Sequence, residues 1–172
     1  KKIAELVYEK EPESDFTLLL IYFFKTDLKE MIVFFINKNY QINYEDVINS
    51  IVGNSTLDID IFAQIANKIS PESRKRLNMF IDRAIIELQK PLLQFLLKES
   101  QPLENSLIEA VKTNDITIVD MILEKRSDPL FINKNSENGT ALSIAVQKEN
   151  VKIVSKLLSI QGINTNIYTY KY

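Results

Sequence analysis

The stretch GTALSIAVQKENVKIVSKLL, which runs from Gly139 to Leu158, decides the fold of this chain. Its apolar residues recur at helical spacing on both sides of a polar segment, a pattern that predicts two amphipathic helices joined by a turn. A weaker copy, SLIEAVKTNDITIVDMIL, lies upstream, and seven of its apolar places match the first stretch at a constant offset of 35 residues. The matched places are Leu107, Ala110, Val111, Ile118, Val119, Ile122 and Leu123, which correspond to Leu142, Ala145, Val146, Ile153, Val154, Leu157 and Leu158. Because a hairpin of this kind cannot bury its apolar face alone, the repeat predicts a solenoid.

Two further copies carry the same seven places without a gap. One begins at Leu20, at an offset of 87 residues from the copy at Leu107, and the other begins at Ile81, at an offset of 26. A poorer copy lies between them and needs about three additional residues in its turn, at residues 53–56. Its apolar places are Val47, Ser50 and Ile51 in the first helix and Ile61, Phe62, Ile65 and Ala66 in the second.

These copies predict an all-α fold, an α-solenoid of about five stacked helical hairpins in a single domain, 1–172. The hairpins are expected near residues 15–38, 44–69, 71–99, 103–126 and 138–161. Ser70-Pro71 and Pro91 support the boundaries, since serine caps helix starts and proline is tolerated in a first helical turn. The chain begins with Lys1 within a helix-like segment, which we interpret as a fragment of a longer protein.

Composition excludes several classes of function. The net charge of −2 and the isoelectric point near 5.4 provide no basic surface, so we expect no nucleic-acid partner. The longest apolar run, Phe16 to Phe24, is shorter than the roughly 20 residues that a membrane-spanning helix needs, so we expect no membrane insertion. The absence of His and Cys from the sequence removes the commonest catalytic base and the thiolate ligands of zinc.

The remaining groups that can do chemistry favour structural roles. Asp58 and Asp60 stand two apart, so on a helix they point in different directions and are better explained as helix caps than as a catalytic pair. No glycine-rich phosphate loop is present, because Gly53, Gly139 and Gly162 are isolated. We therefore expect no cofactor and no metal. Tyr168, Tyr170 and Tyr172 alternate at the C-terminus. They fit one arm of a projecting hairpin, a strand that adds to the edge of a neighbouring chain, or a truncated further repeat.

The last copy resembles the ankyrin repeat, whose pattern runs G-x-T-P-L-H-x-A-A-x-x-G-H-x-x-I-V-x-x-L-L. The places that agree are Thr140, Leu142, Ala145, Ile153, Val154, Leu157 and Leu158. Ser143 stands where the pattern has histidine, so it is expected to replace only part of the hydrogen bonding that starts the first helix. Asn114 and Glu149 stand where the family has the glycine of a tight turn, which predicts a positive φ at both. The resemblance covers residues 100–166 well and 16–99 weakly.

The resemblance implies a non-catalytic module that binds a protein partner through a concave face. That face would consist of the tips of projecting β-hairpins, called fingers, and the exposed ends of the first helices. Carried over place by place, the resemblance assigns it Lys25, Thr26, Glu104, Lys112, Thr113, Ser136, Glu137, Gly139, Gln147 and Lys148. Fingers are expected only around residues 127–140 and after 159. The alternative is a regulatory or targeting segment of a larger enzyme or membrane protein, and we expect a cytoplasmic location.

Overall fold

The computed structural model describes residue 9 and residues 14–38, 40–52 and 58–166. The described chain is mostly helical, as the all-α prediction requires, and has one short two-stranded sheet. It divides into two compact units, Lys1–Arg74 and Lys75–Tyr172. The predicted turn at residues 53–56 and the three C-terminal tyrosines lie outside the described residues. The prediction of a single domain stays a prediction.

The described residues of the first unit form two helical hairpins. Their helices are α1 (Thr17–Lys25), α2 (Lys29–Ile36), α3 (Tyr44–Ile51) and α4 (Ile59–Ala66). The first helix of one hairpin packs on the first helix of the next, α1 against α3, and α2 packs against α4 in the same way. Aromatic rings fill the centre of this unit: the Phe35 ring lies 5.7 Å from Phe16, 5.3 Å from Phe23 and 5.0 Å from Tyr40.

In the second unit, residues 75–166 form three hairpins and a finger. A short helix, α5 (Pro71–Lys75), spans the boundary between the units and continues into a 3-10 turn at Arg76–Phe80. The elements that follow are α6 (Ile81–Ile86), α7 (Lys90–Glu99), α8 (Ser106–Lys112), α9 (Ile116–Lys125), α10 (Pro129–Ile132), β1 (Asn135–Ser136), β2 (Gly139–Thr140), α11 (Ala141–Gln147) and α12 (Val151–Leu158). The first helices α6, α8 and α11 pack side by side, and the second helices α7, α9 and α12 do the same, so the hairpins stack in chain order.

The burial of the apolar places confirms the predicted register in the third and fourth hairpins. All seven places in each are buried, with Leu93 and Val119 completely inaccessible. In the first hairpin six of the seven places are buried and Met31 is half-buried. Each of these hairpins therefore contacts its neighbours through the residues that the sequence offset selects.

In the second hairpin the observed register differs from the predicted one. Ser50, placed among the core residues, is exposed, whereas Ile48, Ile51 and Val52 are buried. The burial therefore aligns Ile48 with Leu107, one residue later than predicted, because the helix turns its apolar side rather than the serine hydroxyl to the core. The four apolar places of the second helix, from Ile61 to Ala66, are buried as predicted.

The last hairpin also departs from the prediction. Val146 and Leu158 belong to the shared apolar set, yet 45% and 49% of their surfaces are exposed, and Val154 is half-buried. The equivalent residues of the fourth hairpin are covered because the fifth hairpin packs on them. No further helix follows α12 among the described residues, so these three side chains have only one neighbouring hairpin.

Every described turn within a hairpin contains one residue in the left-handed region. Asn114 has φ +63° and Glu149 has φ +54°, which confirms the expectation at both places. Asp27, with φ +52°, and Leu88, with φ +55°, occupy the equivalent places of the first and third hairpins. The backbone therefore repeats the same tight turn even though none of the four residues is the glycine that adopts this conformation without strain.

Polar caps begin several of the helices. Asp58 accepts hydrogen bonds from the backbone N–H groups of Asp60 and Ile61, at 3.0 and 3.3 Å, so it is a cap as expected. Ser70 accepts from the N–H of Ser73 at 3.1 Å. Pro91 lies in the first turn of α7, where its missing N–H leaves no hydrogen bond unmade.

We expect Leu142→Ala to lower the free energy of unfolding by about 2–5 kcal/mol, because Leu142 is a fully buried core residue of the last hairpin. Leu130→Ala is the matched control, since Leu130 is 85% exposed and should lose less than about 0.5 kcal/mol. Urea titration followed by circular dichroism measures both. Equal losses would contradict the register of the last repeat.

We expect Glu149→Gly to raise the free energy of unfolding by about 0.5–1 kcal/mol, because glycine relieves the strain of the left-handed conformation. The adjacent Lys148 has φ −82°, an ordinary helical value. Lys148→Gly should therefore destabilise by a similar amount, since glycine only adds freedom to the unfolded chain there. Thermal and urea unfolding distinguish the two, and a loss of stability in Glu149→Gly would contradict the strain argument.

Candidate functional site

The finger between α10 and α11 is a tight antiparallel pair in which Asn135 pairs with Thr140 and Ser136 with Gly139. The Ser136 hydroxyl closes the hairpin by donating to the Gly139 carbonyl at 2.9 Å and accepting from the Asn138 N–H at 3.3 Å. Gly139 has φ +99°, and a Cβ atom at this position would collide with the Ser143 hydroxyl. Glycine is therefore required here, and the exposed tip residue Glu137 stands on a rigid base.

Thr140 joins the finger to the first helix of the last hairpin. Its hydroxyl accepts a hydrogen bond from the Ser143 N–H at 3.2 Å, and the Ser143 hydroxyl donates to the Thr140 carbonyl at 2.9 Å. These two bonds confirm that Ser143 supplies part of the hydrogen bonding around the start of the helix. The finger and α11 are thereby fixed relative to each other.

The base of the finger is tied to the preceding hairpin. Lys134 Nζ lies 2.7 Å from Glu104 Oε2, and this hydrogen bond lowers the pKa of the exposed Glu104 carboxyl. Asn133 makes a second tie: its amide donates to the Gly162 carbonyl at 2.8 Å, and its Oδ1 accepts from the Asn164 N–H at 2.7 Å. The described residues after 159 thus fold back on the loop before the finger, but no strand forms in residues 159–166.

The predicted surface residues of the second unit fall into two groups. The finger-end group lies before the first helices and consists of Glu104, Ser136, Glu137 and Gly139. The turn-end group lies at the C-terminal ends of α8 and α11 and consists of Lys112, Thr113, Gln147 and Lys148. A helix of seven residues such as α11 is about 10 Å long, so the two groups stand at opposite ends of the first helices.

Lys25 and Thr26 are exposed at the end of α1, in the first unit. The Thr26 hydroxyl donates to the Tyr22 carbonyl at 2.9 Å, which leaves the Lys25 ammonium as the group available for recognition at this turn. That these residues act together with the two groups of the second unit stays a prediction.

Lys112 and Lys148 differ in how far a neighbouring carboxylate neutralises their positive charge. Lys112 Nζ lies 2.8 Å from Glu109 Oε1 on the same helix, so its charge is partly neutralised, and Thr113 donates to the Ala110 carbonyl at 2.7 Å. Gln147 and Lys148 are exposed. The turn-end group therefore combines one shielded cation, one open cation and hydrogen-bonding groups.

Two apolar residues extend the turn-end group into the third hairpin. Ile86 stands at the place of Lys112 and is 60% exposed, and the neighbouring Leu88 is 55% exposed. Sequence reasoning missed both, although the offset of 26 residues already pointed to them. Protein interfaces combine an apolar core with a polar rim, so the exposed Ile86 and Leu88 are candidates for the apolar part of a contact.

Polar contacts between successive turns hold the turn-end group in register. Lys90 Nζ lies 2.7 Å from Asp115 Oδ2, and the Asn150 amide donates to Asn114 Oδ1 at 2.7 Å. Asp115 also caps α9 by accepting from the Thr117 N–H at 2.9 Å. The hydrogen bonds from Lys90 and then Thr117 lower the pKa of Asp115 to about 2.

A partly buried hydrogen bond joins α6 to α8 near their N-terminal ends, opposite the turn-end group. Ser106, which is completely inaccessible, donates its hydroxyl hydrogen bond to Asp82 Oδ1. Burial raises the pKa of the Asp82 carboxyl, while the bond from Ser106 acts in the opposite direction. The contact is between core-facing groups, so its role is to align two neighbouring first helices.

The described residues contain no group of three or more acidic, His or Cys side chains placed to hold a metal ion. Nor does any described helix have the length and apolar content to cross a bilayer. The geometry that remains is a set of polar, charged and aliphatic side chains repeated along stacked first helices.

A family model described as ankyrin repeats, in three copies, matches residues 82–169, just over half of the chain. The chain therefore belongs to the ankyrin-repeat family. The match spans the third, fourth and fifth hairpins. No curated protein and no solved structure matched the chain. Ankyrin repeats are generally protein–protein interaction modules, and the family is typically non-catalytic.

We expect Asp115→Asn to lower the free energy of unfolding by about 1 kcal/mol at pH 7, a value reduced for solvent screening because 27% of the Asp115 side chain is exposed. Asparagine still caps the helix, so the change isolates the charge. The pKa of Asp115 is lowered to about 2 in the folded chain and is about 3.9 unfolded, so the stabilisation is present above pH 4 and is lost as the pH falls through 2.

Urea unfolding at pH 7, 4 and 2 tests this expectation. The difference between the wild-type chain and Asp115→Asn should shrink to a few tenths of a kcal/mol at the lowest pH. A difference that does not change with pH would mean that the Lys90–Asp115 ion pair contributes nothing.

Proposed function

We propose that this chain is a non-catalytic module that binds a protein partner through the concave face implied by the ankyrin resemblance, on the side of the first helices. The observation that supports the proposal is the alignment of α6, α8 and α11, whose turn ends carry exposed residues at the repeat offsets of 26 and 35. Repetition of this kind gives a stiff, extended surface, and a stable interface needs about 800 Å² on each partner.

The charges of the two groups indicate how charge should be distributed along the partner. The finger-end group carries Glu104 and Glu137, and the turn-end group carries Lys112 and Lys148 beside the aliphatic Ile86. A partner with a basic segment at the finger end, an acidic segment at the turn end and an apolar residue for Ile86 would match this surface. Complementarity of this kind sets orientation and association rate more than affinity.

The alternative, a regulatory or targeting segment of a larger enzyme or membrane protein, uses the same surface and differs only in what the module is attached to. We also propose a cytoplasmic location, which like the alternative stays a prediction. The reading frame of the complete gene would test the alternative directly.

The test compares two charge-reversed double variants of the second unit. Partner proteins are captured from a lysate with the wild-type chain, purified, and titrated against each variant by calorimetry. Lys112→Glu with Lys148→Glu should weaken binding about 10-fold or more through the turn end. Glu104→Lys with Glu137→Lys tests the finger end separately, because the two groups stand at opposite ends of the helices.

The matched control for the turn-end variant is Lys68→Glu with Lys152→Glu, which makes the same change in net charge at exposed lysines outside both groups. Melting temperatures of these two variants should stay within a few degrees of the wild-type value, although Lys112→Glu adds a small repulsion from Glu109. The finger-end variant also loses the ion pair between Glu104 and Lys134, so circular dichroism must show that it is folded before its affinity is compared. Unaltered affinity in both site variants, or an equal loss in the control, would refute the assigned face.

A further inference from the structure

A groove runs between the second helices α7 and α9. Two adjoining depressions form it, with volumes of about 480 and 280 Å³, and both are lined by Leu97, Lys98 and Lys125. The larger volume lies within the range of pockets that hold a small ligand, so it has room for a few side chains of a peptide. None of the residues predicted for the partner surface lines either depression.

The floor of the larger depression is apolar. Pro91, Gln94 and Leu97 follow one another at three-residue steps along α7 and therefore share one side of that helix, and Met121 of α9 faces them across the groove. Leu97 is buried and Met121 is half-buried. A thioether side chain adapts its shape to different apolar partners, which suits a binding floor.

Two lysines on the rim lack a counter-charge. No described carboxylate forms an ion pair with Lys98 or Lys125, and both side chains are exposed. Lys90, at one end of the groove, is already paired with Asp115.

Two acidic residues also line the groove, Glu124 in the larger depression and Glu99 in the smaller one. Lys156 of α12 is paired with Asp120 at 2.7 Å, and the charge of Glu124 adds to the increase in the pKa of Lys156 that this pairing causes. Four lysines, Lys75, Lys90, Lys98 and Lys125, line the groove together with the two glutamates, so the lining has an excess of positive charge beside its apolar floor.

We propose that the groove between α7 and α9 binds an acidic peptide segment of a partner protein, with an aliphatic side chain on Leu97 and Met121 and flanking carboxylates on Lys98 and Lys125. A nucleic acid or an anionic membrane fits the groove less well, because no aromatic side chain or arginine lines it for base stacking or for bidentate phosphate binding. The groove is built by the second helices, so the proposal does not rest on the function assigned to the first helices.

The probe is a fluorescein-labelled peptide of sequence Glu-Asp-Glu-Leu-Leu-Glu-Asp-Glu, titrated with the whole chain and followed by fluorescence anisotropy. Saturable binding is expected, and Lys98→Glu with Lys125→Glu should weaken it about 10-fold or more. A peptide with serine in place of both leucines should also bind more weakly, because it cannot use the apolar floor. Amide chemical shifts in the wild-type chain should change along α7 and α9.

Two matched controls separate this groove from general charge effects. Lys68→Glu with Lys152→Glu makes the same change in net charge away from the groove and should retain the wild-type affinity. Lys112→Glu with Lys148→Glu alters the first-helix surface and should also retain it, so failure of the two proposals is distinguishable. Lys98→Gln with Lys125→Gln gives a neutral variant in case charge reversal perturbs folding, which circular dichroism reports.

Several outcomes would overturn the proposal. They are the absence of saturable binding, equal binding of the leucine and serine peptides, and equal losses in the groove variant and either control. Tighter binding of single-stranded oligonucleotides or of phosphatidylserine vesicles than of the peptide would assign the groove to a different ligand.

Discussion

The structure of the second unit depends on the packing of each hairpin against the next. A first helix of six or seven residues is too short to be stable alone in water, so its stability must come from burial against its neighbours. Within each compact unit, first helices contact first helices and second helices contact second helices. The repeated apolar places in the sequence exist because the same contact is made again at each step.

The same constraint fixes the turn inside each hairpin. A chain that leaves the first helix must reverse within a few residues to keep both helices on the apolar stack, and a residue in the left-handed region allows this. Leu88 and Glu149 adopt that conformation although it is unfavourable for their side chains, so packing outweighs a local cost of about 1–2 kcal/mol. The exposed residues beside the turn are thereby placed at regular steps along the stack.

Sequence reasoning succeeded where a property depends on spacing along the chain. The offsets of 26 and 35 residues identified the buried places of the third and fourth hairpins and the turns at Asn114 and Glu149. The offsets wrongly placed Val146 and Leu158 among the buried residues, because burial there depends on a following hairpin and not on the local pattern. They also failed at Ser50, where the neighbouring Ile48 satisfies the same apolar period once the helix is rotated by one residue.

The candidate surface was predicted less completely than the fold for a related reason. An offset along the chain shows which residues are equivalent between repeats, but it does not show how far apart two residues lie along a helix. Glu137 and Lys148 lie about the length of α11 apart, and their assignment to one face stays a prediction. Contacts such as that between Lys90 and Asp115 join side chains from different repeats and leave no trace in the apolar pattern.

Helix length distinguishes the side of the first helices from the side of the second helices, where the groove lies. α7 and α9 each have ten residues, whereas α6 has six and α8 has seven. α7 and α9 are therefore about one helical turn longer than α6 and α8. Leu97, Lys98 and Lys125 lie in the last turns of α7 and α9, and the groove extends from there back to Lys90 at the start of α7. The proposed first-helix surface and the proposed groove meet only through core residues such as the buried Leu97, whereas Lys98 and Lys125 are exposed and can be replaced without changing the stack.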